Sequence, residues 1–151
     1  MKISKFEDVE CWQEARKLTK MVYSLTSAQA FQRQGFRLMD QITGAAISVM
    51  NNVAEGFDSQ SNAEFIKFLG YARRSTSEVQ TCLYVAQDNE AIAQSQFEMV
   101  YQQAEKTRKI IDGFRRYLRT YQLNHKPMSR TGQRANGPTG QRANGPTGQR
   151  A

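Results

Sequence analysis

The chain has 151 residues, 39% of them hydrophobic and 23% charged, with a formal net charge of +7. That length supports one domain with one core, and that balance excludes a membrane-embedded or fibrous class. The opening MKISKFEDVE places acids where a signal peptide needs an apolar stretch, and no apolar run approaches the roughly 18 residues of a membrane span, so a cytoplasmic location with no membrane partner is expected.

The charge is unevenly spread. Residues 1–100 hold 10 Lys/Arg against 12 Asp/Glu, whereas residues 101–151 hold 11 against 2. The basic character therefore belongs to the C-terminal third, a pattern that points to an anionic partner. Cys11 and Cys82 stand alone on apolar stripes and read as small buried hydrophobes. With His125 the only histidine, no metal site and no cofactor are expected.

The prolines are Pro127, Pro138 and Pro146, so helices can run without a break up to Lys126. The first helix is predicted from Glu7 to Thr26, with Cys11, Ala15, Leu18, Val22 and Leu25 in four-three spacing and Glu7, Asp8 and Glu10 in the first turn. Ser27 to Gly35 is polar and reads as a loop. The second helix is predicted from Phe36 to Glu55 with two adjacent seams, Leu38/Ile42/Ala45/Val49 and Met39/Ala46/Met50/Val53. The small Gly44-Ala45-Ala46 stretch invites a close helix approach, and Gly56 reads as a left-handed stop.

A capping box, Ser61 with Glu64, opens the third helix. Its main stripe is Phe65, Leu69, Ala72, Thr76, Val79, Leu83 and Ala86, beside a second stripe of Phe68, Ser75, Cys82 and Val85, and it ends near Asp88-Asn89. A second box, Ser95 with Glu98, opens the fourth helix, whose seam runs Phe97, Val100, Ala104, Thr107, Ile111, Phe114, Leu118 and Tyr121. The expected fold is all-α: an up-down antiparallel four-helix bundle over residues 1–126. Residues 127–151 carry an octapeptide repeat, TGQRANGP, with no large apolar residue after Met128, and are expected to be a disordered tail.

The turn from the second helix into the third reads Asn52-Val53-Ala54-Glu55-Gly56-Phe57, then Ser61, then Glu64-Phe65-Ile66-Lys67-Phe68-Leu69, then Ala72, Ser75 and Glu78. With Phe6, Val9, Trp12 and Gln13 at the start, this resembles the four-helix-bundle family of large-subunit (23S) rRNA intervening-sequence proteins over about residues 5–120. The accessory variability proteins of diversity-generating retroelements are similar to that family. The chain departs from the family pattern at Asp58 and Gln60, where a basic residue is frequent, and at Arg74, where glycine usually precedes the serine. The resemblance implies a ring-like homopentamer and no catalysis. For the retroelement branch it implies binding to nucleic acid and to a reverse transcriptase.

The motif residues have structural readings of their own. Asn52 is a polar residue on a seam, able to set register. Glu55 sits at the helix end that disfavours an acid, so Arg73, Arg74 or the amides opening the third helix are expected to hold it. Acid–base chemistry by Glu55 and Glu78 would want a nucleophile, histidine or metal set that the sequence does not offer. Phe65, Phe68, Phe114 and Leu118 read as core or subunit contact.

The candidate binding residues lie on the fourth helix. At ~100° per residue, Arg108, Arg115 and Arg119 share a narrow arc, with Lys109 and Arg116 on the adjacent strip and Lys106 beyond. They are expected to be exposed, diluted only by Glu105 and Asp112, and to bind RNA or DNA backbones with little sequence preference. No stacking aromatics are evident beside them. The alternative is a homo-oligomeric protein adaptor with no nucleic-acid role.

Overall fold

The computed structural model describes residues 2–125; the repeat tail lies outside the described residues. A 3-10 turn, Phe6–Asp8, leads into α1 (Glu10–Thr26), α2 (Gln29–Gln32), α3 (Phe36–Asp58), α4 (Asn62–Asp88) and α5 (Gln94–Asn124). Four of these are long, there is no strand among the described residues, and α1, α3, α4 and α5 are the four predicted helices. α1 and α4 each pack against both α3 and α5, which encloses a four-sided core.

That core has two apolar halves. One gathers Leu18, Val22, Phe31, Ile42, Leu83 and Val100, and the other Val9, Ala15, Val53, Phe65, Leu69 and Ile111. Between them, at mid-height, lie the buried Thr76, Thr107 and Ser75. The Thr76 and Thr107 hydroxyls donate to the carbonyls of Arg73 and Gln103 on their own helices, so neither is left unsatisfied. The Ser75 hydroxyl instead crosses to α3, donating to Ser48 Oγ at 2.9 Å, and the Asn52 amide donates to the same oxygen at 3.0 Å. This polar waist gives the helices a register that apolar contacts alone would leave free to slide.

Several boundaries differ from expectation, each for a local reason. Val9 is extended, so α1 starts at Glu10, and Glu7 and Asp8 belong to the 3-10 turn, where Asp8 accepts bonds from the amides of Ser4 and Lys5. The expected loop 27–35 contains α2, because Phe31 is fully buried under the end of the bundle and a helical turn aims it there. Gly35, with φ of +91°, then opens α3. Gly56 does not stop α3, which continues to Asp58; the left-handed turn residue is Gln60. Ser61 caps α4 by accepting the Glu64 amide at 3.4 Å. The start of α5 lies earlier than Ser95: Ala93 precedes its first turn and Gln96 Oε1 accepts the Ala93 amide at 2.8 Å.

The second seam of α3 is largely consumed inside the bundle, with Ala46 and Val53 fully buried. Gly44, by contrast, is exposed with nothing within 4 Å of where a Cβ would stand, so the chain itself supplies no helix at that position. No helix among the described residues is long and apolar enough to cross a membrane.

Candidate nucleic-acid interface

α5 carries all six predicted cations, between Lys106 and Arg119, and their surroundings divide them into two groups. Lys109, Arg116 and Arg119 are exposed and have no carboxylate within ion-pair distance among the described residues. Lys106 is also exposed, but its Nζ lies 3.4 Å from Glu14. Arg108 and Arg115 are half-buried against α4, contrary to the expectation that every cation on this helix is free.

Arg108 pairs with Glu105, one turn back, through both Nε and a terminal nitrogen, and reaches Asp112 at 3.7 Å. The hydrogen bond to Glu105 raises the Arg108 pKa above its ordinary value. The same bond, with one from Gln80, holds the Glu105 carboxyl below its own. Asp112 bridges the helices: Arg73 of α4 donates to it from Nε at 2.8 Å, and Arg115 stands 3.9 Å away. A helical wheel shows Glu105 and Asp112 only as acids diluting a basic surface, whereas across the helix–helix seam they are partners for arginines.

Arg115 owes its position to Gly70. The guanidinium lies across that glycine, 3.2 Å from where a Cβ would project. Burial, together with the cations of Arg119, Arg73 and Arg74, pulls the Arg115 pKa below its ordinary value, and Asp112 only partly opposes them. Its Nε is buried without a hydrogen-bond partner.

The motif residues take mixed roles. Glu55 is exposed and forms no ion pair among the described residues, so the expected clamp by Arg73 or Arg74 is absent; Arg73 turns to Asp112 and Arg74 lies over the Tyr71 ring at 5.5 Å. Gly56 is a contact residue. A Cβ there would stand 2.6 Å from Phe65 Cδ2 and 3.0 Å from Phe68 Cβ, so glycine permits α3 and α4 to close on each other. Phe65 meets the edges of Phe57 and Phe114, and Phe68 that of Tyr71. Glu78 is exposed. Among the described residues no group of three or more His, Cys, Asp or Glu could hold a metal ion. The Cys11 thiol is pushed up to about 12 by burial, which leaves it an inert core group.

Two features escaped the sequence reading. Glu14 is buried on α1, bonded by Lys17 at 2.6 Å and by the Gln103 amide at 2.8 Å, with Lys106 near its other side. Burial acting alone would raise its carboxyl, but the bonds from Lys17 and Gln103 and the charges of Lys106 and Lys17 outweigh that and lower it. Its place beside Ala15 on the buried stripe was the available signal. The second feature is aromatic. Tyr117 and Tyr121 are exposed, and Tyr121 stacks on His125 at 4.0 Å, so stacking rings do exist on this helix and the seam ends in effect at Leu118. They occupy the flank away from Arg115, about half a turn round.

The model of the 23S rRNA-intervening sequence protein family matches residues 7–113. The chain belongs to that family. This member of the 23S rRNA-intervening sequence proteins is similar to a solved structure from Bacteroides thetaiotaomicron, described as a protein with unknown function from the S23 ribosomal protein family. The identity is 20%, the TM-score 0.64, and the match covers 69% of this chain and 96% of that one, a likeness of fold. No curated protein matches the chain.

Proposed function

We propose that this 23S rRNA-intervening sequence protein is a non-enzymatic, cytoplasmic, up-down antiparallel bundle that assembles into a homopentamer and binds nucleic-acid backbones through α5. The observation that carries the reading is the set Lys109, Arg116 and Arg119, exposed on one helix without acidic partners among the described residues. Unpaired surface cations attract phosphates and release counterions, with little sequence preference. A ring would repeat the set in every subunit. Kinship with the retroelement accessory proteins would add a reverse transcriptase as a second partner.

Self-association is supported by Ile47, Tyr71, Tyr84 and Val85, exposed apolar side chains on α3 and α4, and by the open Gly44. The same side chains favour the second reading, a protein adaptor, as does the internal neutralisation of Arg108. Fluorescence anisotropy with labelled RNA and DNA across a salt series separates the two. Changing Lys109, Arg116 and Arg119 together to Gln should weaken binding and lower the log–log salt slope by about 2 to 3, at about 0.7 to 0.9 per phosphate contact. Arg108→Gln should instead lower the melting midpoint with little change in slope. No binding by the unaltered protein at low salt would leave the adaptor reading standing.

A further inference from the structure

The α4–α5 groove holds more positive charge than the fold neutralises. Around Gly70 and the Arg115 that lies across it stand Arg73, Arg74 and Arg119, while the carboxylate paired there is Asp112. Glu105 is committed to Arg108, and Asp112 is divided among Arg73, Arg108 and Arg115. Arg74 and Arg119 are exposed and have no acidic partner among the described residues.

The surplus guanidinia flank Arg115, whose own charge is disfavoured by those of Arg119 and Arg74. Gly70 meets Arg115 while Arg73 meets Asp112, so the two helices pass in opposite directions: Arg74, one turn beyond Gly70 on α4 and lying over the Tyr71 ring, and Arg119, one turn beyond Arg115 on α5, flank the glycine from its two sides. A turn of helix rises only ~5.4 Å, within the reach of an arginine side chain. Gly70 leaves the space between them without a side chain of its own, and Arg115 lies across it with its Nε lacking an acceptor. Guanidinium forks in such an array match the oxygens of a phosphate, and an anion seated there relieves their mutual repulsion.

We propose that Arg74, Arg115 and Arg119 form a phosphate-binding site over Gly70, in the groove between α4 and α5. It deepens the nucleic-acid reading of α5 by adding a residue from α4 and a defined seat for one phosphate. The phosphate belongs either to a nucleic-acid backbone or to a free phosphorylated compound, and the chemistry of the seat is common to both.

Two measurements on the full chain separate these sources: anisotropy with a labelled RNA oligonucleotide, and calorimetric titration with pyrophosphate. Arg74→Gln alters an exposed side chain and should leave the melting midpoint unchanged. It should weaken RNA binding about tenfold and lower the salt slope by about 0.7. It should also abolish the pyrophosphate heat, and Arg74→Lys should restore only part of it, keeping the charge without the fork. Gly70→Ala, which presses a methyl group on the Arg115 guanidinium, should weaken both ligands as well. If Arg74→Gln binds RNA and pyrophosphate as the unaltered protein does, while changing Lys109 and Arg116 weakens RNA binding, the groove site is overturned and the α5 reading survives. If RNA does not bind but pyrophosphate does, and depends on Arg74, the site stands and the nucleic-acid reading fails. Binding of neither ligand overturns both.

Discussion

Glu14 shows how one buried acid is kept charged. Its carboxylate is enclosed by α1 and α5, yet two ammonium groups and an amide surround it, and their combined effect lowers its pKa despite burial. A carboxyl whose folded pKa lies below the unfolded value contributes stability above that value and loses it as pH falls through the folded pKa. The acid limb of a stability–pH curve should therefore contain a Glu14 component below the ordinary glutamate range, and Glu14→Gln should flatten it. At neutral pH that substitution should cost about 1 kcal/mol, held down by the exposure of both lysines. Urea titrations between pH 3 and pH 7 check this; an unchanged acid limb would show that Glu14 is not coupled to its lysines. Gly56 makes the complementary case for packing. Gly56→Ala gains about 1 kcal/mol of helix propensity but drives a methyl into the Phe65 ring, an overpacking that costs about 1 to 3 kcal/mol. The net effect should be destabilising, whereas Gly44→Ala, with open space around it, should raise the melting midpoint of an isolated subunit.

Among the elements, α2 is too short to be stable by itself and exists because of one side chain. Phe31 is fully buried among Leu25, Ile42, Ala91 and their neighbours, closing one end of the core. Phe31→Ala should cost about 3 to 5 kcal/mol. It should also release residues 27–35 to faster amide hydrogen exchange while α4 stays protected; loss of protection throughout would mean that this end of the core holds the whole bundle. The other long elements were legible because their apolar residues repeat with the helix period: Cys11, Ala15, Leu18, Val22 and Leu25 are all buried as expected. Phe31 was not legible, since a single apolar residue in a polar stretch has no period to reveal it. The start of α5 differs from the sequence expectation because Ser95 and Glu98 have the form of a capping box, whereas Ala93 has no side-chain acceptor and the helix start there is marked only by Gln96, whose Oε1 accepts the Ala93 amide.

For the whole molecule, the open question put to experiment is assembly. The bundle consumes most of the second apolar stripe of α3, yet leaves Ile47, Tyr71, Tyr84 and Val85 exposed on α3 and α4. Such side chains gain from meeting a neighbouring subunit, and a closed ring satisfies every copy equally. Light scattering behind size exclusion at micromolar concentration should give five times the protomer mass of 17.2 kDa. A monomer mass would sink the ring, and with it the multiplication of the α5 cations. Gly44→Leu should shift the mass downward if that open position is where a neighbour docks.

What the sequence determined by itself was local and periodic: the number of long helices, the buried stripe of each, the cap at Ser61 and the concentration of positive charge in the last third. These follow from the 3.6-residue turn, which any reader of spacing can apply. What only the tertiary structure decided was which groups meet across helices. Arg115 is held by Gly70 from 45 positions away, Arg108 and Arg73 share Asp112, Glu14 finds Gln103, and Gly56 makes room for Phe65 instead of ending a helix. A charge on a helical wheel has a direction but no partner. Whether it is free to bind an anion depends on the acid brought alongside it when the helices pack.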